Sequence, residues 1–261
     1  MFLDIDKETT DRLSEAKWYL DNIAESHSTP QEIFKEKLYK GSFFVNLYGA
    51  IEYTVCNLVS RVIDKINEDQ YVQVTHLKPS LLSLLLHSEC DALYQASDKK
   101  WIKRLLLFNR IKDEEKSNII NTLMPAQSGN LKRQQIEQIC EVFGAEFPAI
   151  NNPDVGHKLS TIADNRNAIA HGRKTACEVG SQYTKDLLNG YYIAIQEYCL
   201  YLNQQFHKYI ENKHYIKLEK GNLNTTFTEN FFVMECILEL HLLVKRAENS
   251  MVTFKSFVSN F

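Results

Sequence analysis

Apolar side chains recur at helical spacing along most of the chain, which predicts a protein built from helices. Thr29, Pro30 and Glu32 have the residue types of an N-cap, a first helical residue and a capping-box partner. A long helix is therefore expected from there to about Glu68. Its apolar positions form one stripe, as in a central core helix; they are Phe44, Leu47, Tyr48, Ile51, Val55, Leu58, Val59, Val62 and Ile66.

The same periodicity predicts further helices before and after this one. Their expected ranges are about 10–26, 79–96, 131–143, 157–171 and 184–209. Gly144 and Gly172 are expected to end two of them, because glycine is favoured just beyond a helix C-terminus. After Lys213 the pattern is ambiguous, since the apolar positions of 232–244 fit either a strand or a buried helix. We therefore expect a helical domain over 1–212 and a C-terminal extension over 213–261, whose structure the pattern leaves open.

Composition narrows the fold class and the range of functions. The 261 residues are 44% hydrophobic and 24% charged, so the chain can bury a core. It has only 9 Gly and 5 Pro, too few for an all-β protein with a turn every ten residues or so. The formal net charge is −3. Binding to nucleic acid would therefore need a local basic patch.

The sequence offers no features of export, membrane insertion, metal binding or cofactor binding. The segment Met1 to Asp6 lacks a signal peptide's basic and apolar stretches, and Phe231 to Val244 is too short and too acidic to span a bilayer. The 6 cysteines occur singly and without Cys/His clusters, which is typical of reduced, buried thiols. A Gly-rich phosphate loop is also missing. The expectation is a cytoplasmic protein with no membrane contact, metal or cofactor.

One segment combines residue types suited to phosphate chemistry. Arg166 and Asn167 are followed by His171, and a step of five residues places Arg166 and His171 about 140° apart around a helix. A straight helix therefore cannot present both on one face, so the helix must end or bend, or a second chain must complete the site. Between His157 and Lys174 there are four basic residues and one acidic residue, which favours phosphate binding here.

In this segment the sequence resembles the HEPN superfamily, whose nuclease signature is Arg, a polar residue, three to five others and then His. Arg166, Asn167 and His171 match that signature. The resemblance extends to the MAE-type bacterial HEPN-like nucleases over about residues 30–212. It is carried by four segments in order, namely 47–52 (LYGAIE), 129–131 (GNL), 166–172 (RNAIAHG) and 178–180 (EVG).

The resemblance implies an all-α HEPN-like helical bundle that forms homodimers and cuts RNA without a metal ion. Arg166 and His171 would be catalytic, and Asn167 would orient His171 or a phosphate. Two copies of His and Arg can supply a base, an acid and a cation for attack by the ribose 2′-hydroxyl. Such proteins are toxins or antiviral-defence effectors.

Residues near the motif have supporting roles in this interpretation. Lys158, Arg173 and Lys174 are expected to bind RNA. Glu52 lies on the apolar side of its helix, where an unpaired carboxylate would be costly. A salt bridge to Arg166 or to another basic residue would explain its position. A place at the edge of the stripe would explain it equally well.

Several alternatives remain open at this level. The chain could be a catalytically silent HEPN module that binds RNA or a partner protein. An antitoxin or other partner is compatible with the resemblance, although some related toxins carry a modified Tyr two residues after the His, where this chain has Arg173. The basic segment Lys99 to Lys112 could guide RNA or form a solvated helix face.

Overall fold

The computed structural model describes residues 2–24, 29–96, 98–112, 114–120 and 131–217. All of them except Lys217 belong to one compact unit, which extends to Ile216. The predicted domain boundary near residue 212 stays a prediction. The ambiguous segment 232–244 and the first two residues of the 129–131 segment, Gly129 and Asn130, lie outside the described residues.

The described residues form an all-α fold, as predicted. The helices are α1 (Leu3–Asp21), α2 (Pro30–Glu68), α3 (Pro79–Leu85), α4 (His87–Gln95), α5 (Lys100–Ile111), α6 (Arg133–Val142), α7 (Pro153–Ala170), α8 (Ala176–Gly180) and α9 (Lys185–Glu211), with a 3-10 helix at Val74–His76. None of the described helices is long and apolar enough to cross a membrane.

The 39-residue helix α2 forms the centre of the fold and packs against α1, α7, α8 and α9. Its predicted start is confirmed, because the Thr29 hydroxyl accepts the Glu32 backbone N–H and the Glu32 carboxylate accepts the Thr29 backbone N–H. All nine side chains of the predicted apolar stripe, from Phe44 to Ile66, are buried. Each large side chain buried in this way contributes about 1.5–3 kcal/mol.

Helix α1 begins earlier than the sequence pattern predicts. It starts at Leu3 rather than near Thr10, because Phe2, Ile5 and Thr9 continue its buried face. The Thr9 hydroxyl lies 2.9 Å from the Thr54 hydroxyl of α2, which makes this polar side chain compatible with burial. The helix ends at Asp21, before the predicted end near Ser26.

The helix predicted over 79–96 is two helices, α3 and α4. Leu86 separates them with a ψ angle of 15°, outside the helical range, and its side chain is 1% exposed. Leu86 is thus buried at the break, whereas α4 after it contributes no buried residue. The basic segment after it is helical, with Leu107 and Ile111 of α5 buried.

The other predicted helices are present with shifted ends. Helix α7 begins at Pro153 rather than near His157, because the Asn152 side chain caps it by accepting the Asp154 N–H at 3.0 Å. Gly144 follows α6 with a φ of 58°. Thr184 caps α9 by accepting the Leu187 N–H at 3.2 Å.

Candidate active site

The end of α7 presents His171 to solvent. The helix stops at Ala170, and Gly172 adopts a φ of 68°, a left-handed conformation that favours glycine. The Gly172 N–H bonds to the Ile169 carbonyl at 3.0 Å, and the Lys174 N–H bonds to the Ala168 carbonyl at 3.1 Å. The exposed His171 side chain forms no hydrogen bond with another described residue. Its imidazole is accessible to an external group.

Arg166 lies one and a half turns earlier and is held against α2. Its guanidinium carbon lies 4.6 Å from the ring centroid of Tyr48, a cation–π distance. Its Nη1 also donates a hydrogen bond to the Asn167 Oδ1 at 3.0 Å. Asn167 is 9% exposed. The two contacts fix the plane and direction of a half-buried cation.

Tyr48 is the residue that organises this contact. It is 1% exposed, and its hydroxyl accepts the Leu131 N–H at 2.8 Å and donates to the Glu52 Oε1 at 3.3 Å. Burial raises the pKa of Tyr48, and the Glu52 carboxylate raises it further, against the opposing effects of the Leu131 N–H and the Arg166 charge. The hydroxyl therefore stays protonated at neutral pH and remains a donor.

Sequence analysis assigned Tyr48 to the apolar stripe and to the 47–52 motif, and missed its contact with Arg166. The sequence did carry a signal for the hydrogen bond between Tyr48 and Glu52, because residues four apart are neighbours on a helix. A buried tyrosine hydroxyl needs partners, and Glu52 is within reach.

Glu52 itself is half-buried at the edge of the stripe. Between the described side chains of Glu52 and Arg166 there is no ion pair within 4.0 Å, and the two are linked through Tyr48 instead. Of the two explanations left open by the sequence, the structure places Glu52 at the edge and gives it a hydrogen bond.

The three lysine and arginine side chains expected to bind RNA have different surroundings. Lys158 pairs with Asp154 one turn earlier, and its side chain is 17% exposed. Arg173 and Lys174 are exposed and form no ion pair with another residue in the described ranges. Two of the three basic side chains are therefore open to an incoming phosphate beside His171.

Helix α8 holds the segment that follows His171. Thr175 caps it by accepting the Glu178 N–H at 3.1 Å, while the Glu178 carboxylate accepts the Thr175 N–H at 2.7 Å. That backbone hydrogen bond lowers the pKa of Glu178, with a smaller contribution from the Lys174 charge. The capping box fixes the start of α8 and so limits the movement of 171–175.

Two glycines bring α8 into backbone contact with α2. A methyl group at Gly180 would overlap the Lys37 carbonyl oxygen, and one at Gly41 would overlap the Ala176 carbonyl oxygen. The last segment of the resemblance, 178–180, thus forms the contact that fixes α8 on the long helix.

In the part of the chain that the structure describes, no group of three or more His, Cys, Asp or Glu side chains could hold a metal ion. Of the described cysteines, Cys140 and Cys199 are buried, whereas Cys56, Cys90 and Cys177 are half-buried. The expectation of uniformly buried thiols is thus wrong for these three.

Comparison with known proteins agrees with the all-α HEPN-like fold. The model of one family, RiboL-PSP-HEPN, matches residues 7–212, and this range includes α2, Tyr48 and the whole 166–172 segment. Comparisons with curated proteins and with solved structures found no match. The family match spans well over half of the chain, and the chain therefore belongs to the RiboL-PSP-HEPN family of the HEPN superfamily.

Proposed function

We propose that this protein is a metal-independent endoribonuclease in which Arg166 and His171 act on the scissile phosphate. The observation that carries the proposal is that α7 ends on an accessible imidazole and carries, five residues earlier, a guanidinium whose orientation is fixed by Tyr48 and Asn167. Membership in a HEPN family supports an RNA-directed role.

The proposed reaction needs three chemical contributions. A base takes the proton of the ribose 2′-hydroxyl, whose oxygen attacks the adjacent phosphorus. An acid protonates the departing 5′-oxygen, so that the products are a 2′,3′-cyclic phosphate and a 5′-hydroxyl. A cation stabilises the negative charge that develops on the phosphorane. The His171 imidazole can serve as the base or as the acid, and the Arg166 guanidinium can stabilise the negative charge on the phosphorane.

One chain supplies only one His in the motif, so we propose a homodimer with a composite site. The two imidazoles would then act as base and acid from opposite subunits. This arrangement also resolves the 140° or so between Arg166 and His171 on α7, because the second subunit can bring its His171 to the first subunit's Arg166.

Asn167 acts in this proposal as a positioning residue for Arg166, which is the contact its side-chain oxygen makes. Arg173 and Lys174 bind neighbouring phosphates of the RNA. The resemblance to bacterial HEPN nucleases supports a role as a toxin or antiviral-defence effector in the cytoplasm, with an antitoxin or other protein as its regulator.

The test is incubation of the purified protein with total RNA in excess EDTA, beside His171→Ala and Arg166→Ala. Each variant is expected to lose activity by about 10²-fold or more, the scale for one catalytic acid or base. His87→Ala is the matched control, since this exposed histidine of α4 lies outside the proposed site.

Circular dichroism and thermal unfolding establish that each variant is folded. Undiminished cleavage by folded His171→Ala would overturn the proposal. Wild-type protein that binds RNA without cutting it would instead favour the catalytically silent HEPN module.

A further inference from the structure

Helix α5 carries an apolar surface on the side that faces away from the protein. Trp101 is 79% exposed, Ile102 58%, Leu105 60% and Leu106 51%. We call these four side chains the α5 arc. At about 100° per residue they span one contiguous sector, opposite the buried Leu107 and Ile111. A monomeric protein rarely leaves such a group of large apolar side chains together in water.

Basic residues border the arc. The segment Lys99 to Lys112 contains six lysine and arginine residues and no acidic residue. Among the described residues, Lys99, Lys100, Lys103, Arg104 and Lys112 form no ion pair. The sixth basic residue, Arg110, pairs with Glu115 at 3.1 Å. The other five cations are thus open to a negatively charged partner.

The arc has the shape of a helix-binding surface. Trp101 and Leu105 form one ridge at i, i+4 spacing, and Ile102 and Leu106 form a second ridge beside it. Two such ridges with a groove between them accept the side-chain ridge of another helix. The Arg104 guanidinium lies 4.9 Å from the Trp101 ring centroid, which places a cation at the border of the arc.

We propose that the α5 arc is a docking surface for an acidic amphipathic helix of a partner protein. The apolar face of that helix would cover the four arc residues, and its carboxylates would meet the cations at the border. This inference is independent of ribonuclease activity.

The chemistry of the surface disfavours other occupants. A second copy of α5 would bring like charges together, which costs free energy at an interface. Single-stranded RNA stacks on aromatic rings, and three of the four arc residues are aliphatic.

The proposal is tested with the full-length protein and three labelled peptides of about 20 residues. The first has Leu and Ile on one helix face and Glu on the other, the second has the same composition in scrambled order, and the third has Lys in place of Glu. Fluorescence anisotropy measures binding. The first peptide is expected to bind at least tenfold more tightly than the other two, and its affinity should fall as salt is raised.

Two variants and one control assign the binding to α5. Ile102→Ser/Leu105→Ser and Lys103→Glu/Arg104→Glu are each expected to weaken binding about tenfold, the effect of 1.4 kcal/mol. Both should fold, because the buried side of α5 is unchanged. Ile193→Ser/Leu200→Ser removes two exposed apolar side chains of α9, which are 45% and 50% exposed, and should leave affinity unchanged.

Three results would overturn the proposal. The first is no difference between the patterned and scrambled peptides. The second is equal binding by the Ile102→Ser/Leu105→Ser variant and wild type. The third is tighter binding of a 12-nucleotide single-stranded RNA or of phosphatidylglycerol vesicles, lost in the α5 variants, which would assign the surface to RNA or to lipid instead.

Discussion

The guanidinium of Arg166 on α7 lies over the ring of Tyr48 on α2, with 4.6 Å between the guanidinium carbon and the ring centroid. The contact joins two segments that are far apart in sequence and both belong to the HEPN-like pattern. It fixes the cation of the proposed site on the central helix of the fold.

Replacing the aromatic ring of Tyr48 should therefore lower kcat more than removing only its hydroxyl. Tyr48→Leu loses the cation–π contact, worth about 0.5–2 kcal/mol, so kcat is expected to fall roughly two- to thirtyfold. Tyr48→Phe keeps the ring and should retain kcat within about twofold. Steady-state cleavage of a defined oligoribonucleotide gives kcat and KM separately. Equal loss of kcat in both variants would contradict a positioning role for the ring.

The Tyr48 hydroxyl should instead matter for stability. In Tyr48→Phe the Leu131 N–H loses its acceptor at 2.8 Å. An unsatisfied buried donor of this kind costs about 1–3 kcal/mol. Urea unfolding of wild type and Tyr48→Phe measures the difference in the free energy of unfolding, and a difference near zero would mean that water replaces the hydroxyl.

The proposed reaction specifies the ends of the cleaved RNA. Attack by the 2′-hydroxyl should leave 2′,3′-cyclic phosphate and 5′-hydroxyl ends, in EDTA as well as in Mg²⁺. Mass spectrometry of the fragments identifies these ends. An oligonucleotide with a single 2′-deoxy substitution at the cleaved position should resist cutting there, while the all-ribose oligonucleotide is the control. Cutting at the substituted position would exclude the 2′-hydroxyl as nucleophile.

A composite site should be sensitive to mixing of subunits. When excess His171→Ala chains exchange with wild type, the heterodimers keep one imidazole, so activity per wild-type chain should fall well below that of wild type alone. Mixing with His87→Ala chains is the control and should cause no loss. Native mass spectrometry confirms exchange. Activity proportional to the number of wild-type chains, once exchange is complete, would show that each chain works alone.

The close contact between α2 and α8 should tolerate no added methyl group. Gly180→Ala would place its Cβ against the Lys37 carbonyl oxygen, and backbone shifts of this kind cost about 1–3 kcal/mol. Gly190→Ala on α9 is the matched control, because its added methyl group meets no atom within 4 Å. That variant should be stabilised by about 0.5–1 kcal/mol. Thermal unfolding distinguishes the two, and equal melting temperatures would contradict the contact.

Asp69 should make stability depend on pH. It accepts hydrogen bonds from Lys213 at 2.7 Å and Tyr215 at 2.8 Å, joining the end of α2 to the segment after α9. Burial raises the pKa of Asp69, but these hydrogen bonds and the Lys213 charge outweigh it, so the pKa lies below its ordinary value of 3.8. The stabilisation is therefore present above that value and is lost as the pH falls through the folded-state pKa.

Asp69→Asn should accordingly lower the free energy of unfolding by about 1–2 kcal/mol at pH 7. The difference from wild type should shrink as the pH falls below the ordinary Asp value. Denaturant unfolding at several pH values measures it. A difference that is constant with pH would show that the charge of Asp69 contributes nothing.

The sequence by itself determined the elements whose signals are local. The capping residues Thr29 and Glu32 predicted the start of α2, and the periodicity of apolar residues predicted its buried face, because both depend on neighbours within one or two turns. Gly172 likewise indicated the end of α7. The predicted start of α1 near Thr10 was wrong, because its first turns gave an incomplete local signal. Thr9 is polar by type, and its burial depends on its partner Thr54 on α2. The break at Leu86 also depends on what each half of that segment packs against.

The tertiary structure alone decided how the residues of the candidate site are arranged. The Arg166, Asn167 and His171 pattern could be read from the chain, but the placement of Tyr48 beneath Arg166 depends on how α2 and α7 pack, over a separation of more than one hundred residues. Long-range contacts of this kind leave no periodic trace in a single sequence, because their partners are set by the fold and not by spacing along the chain.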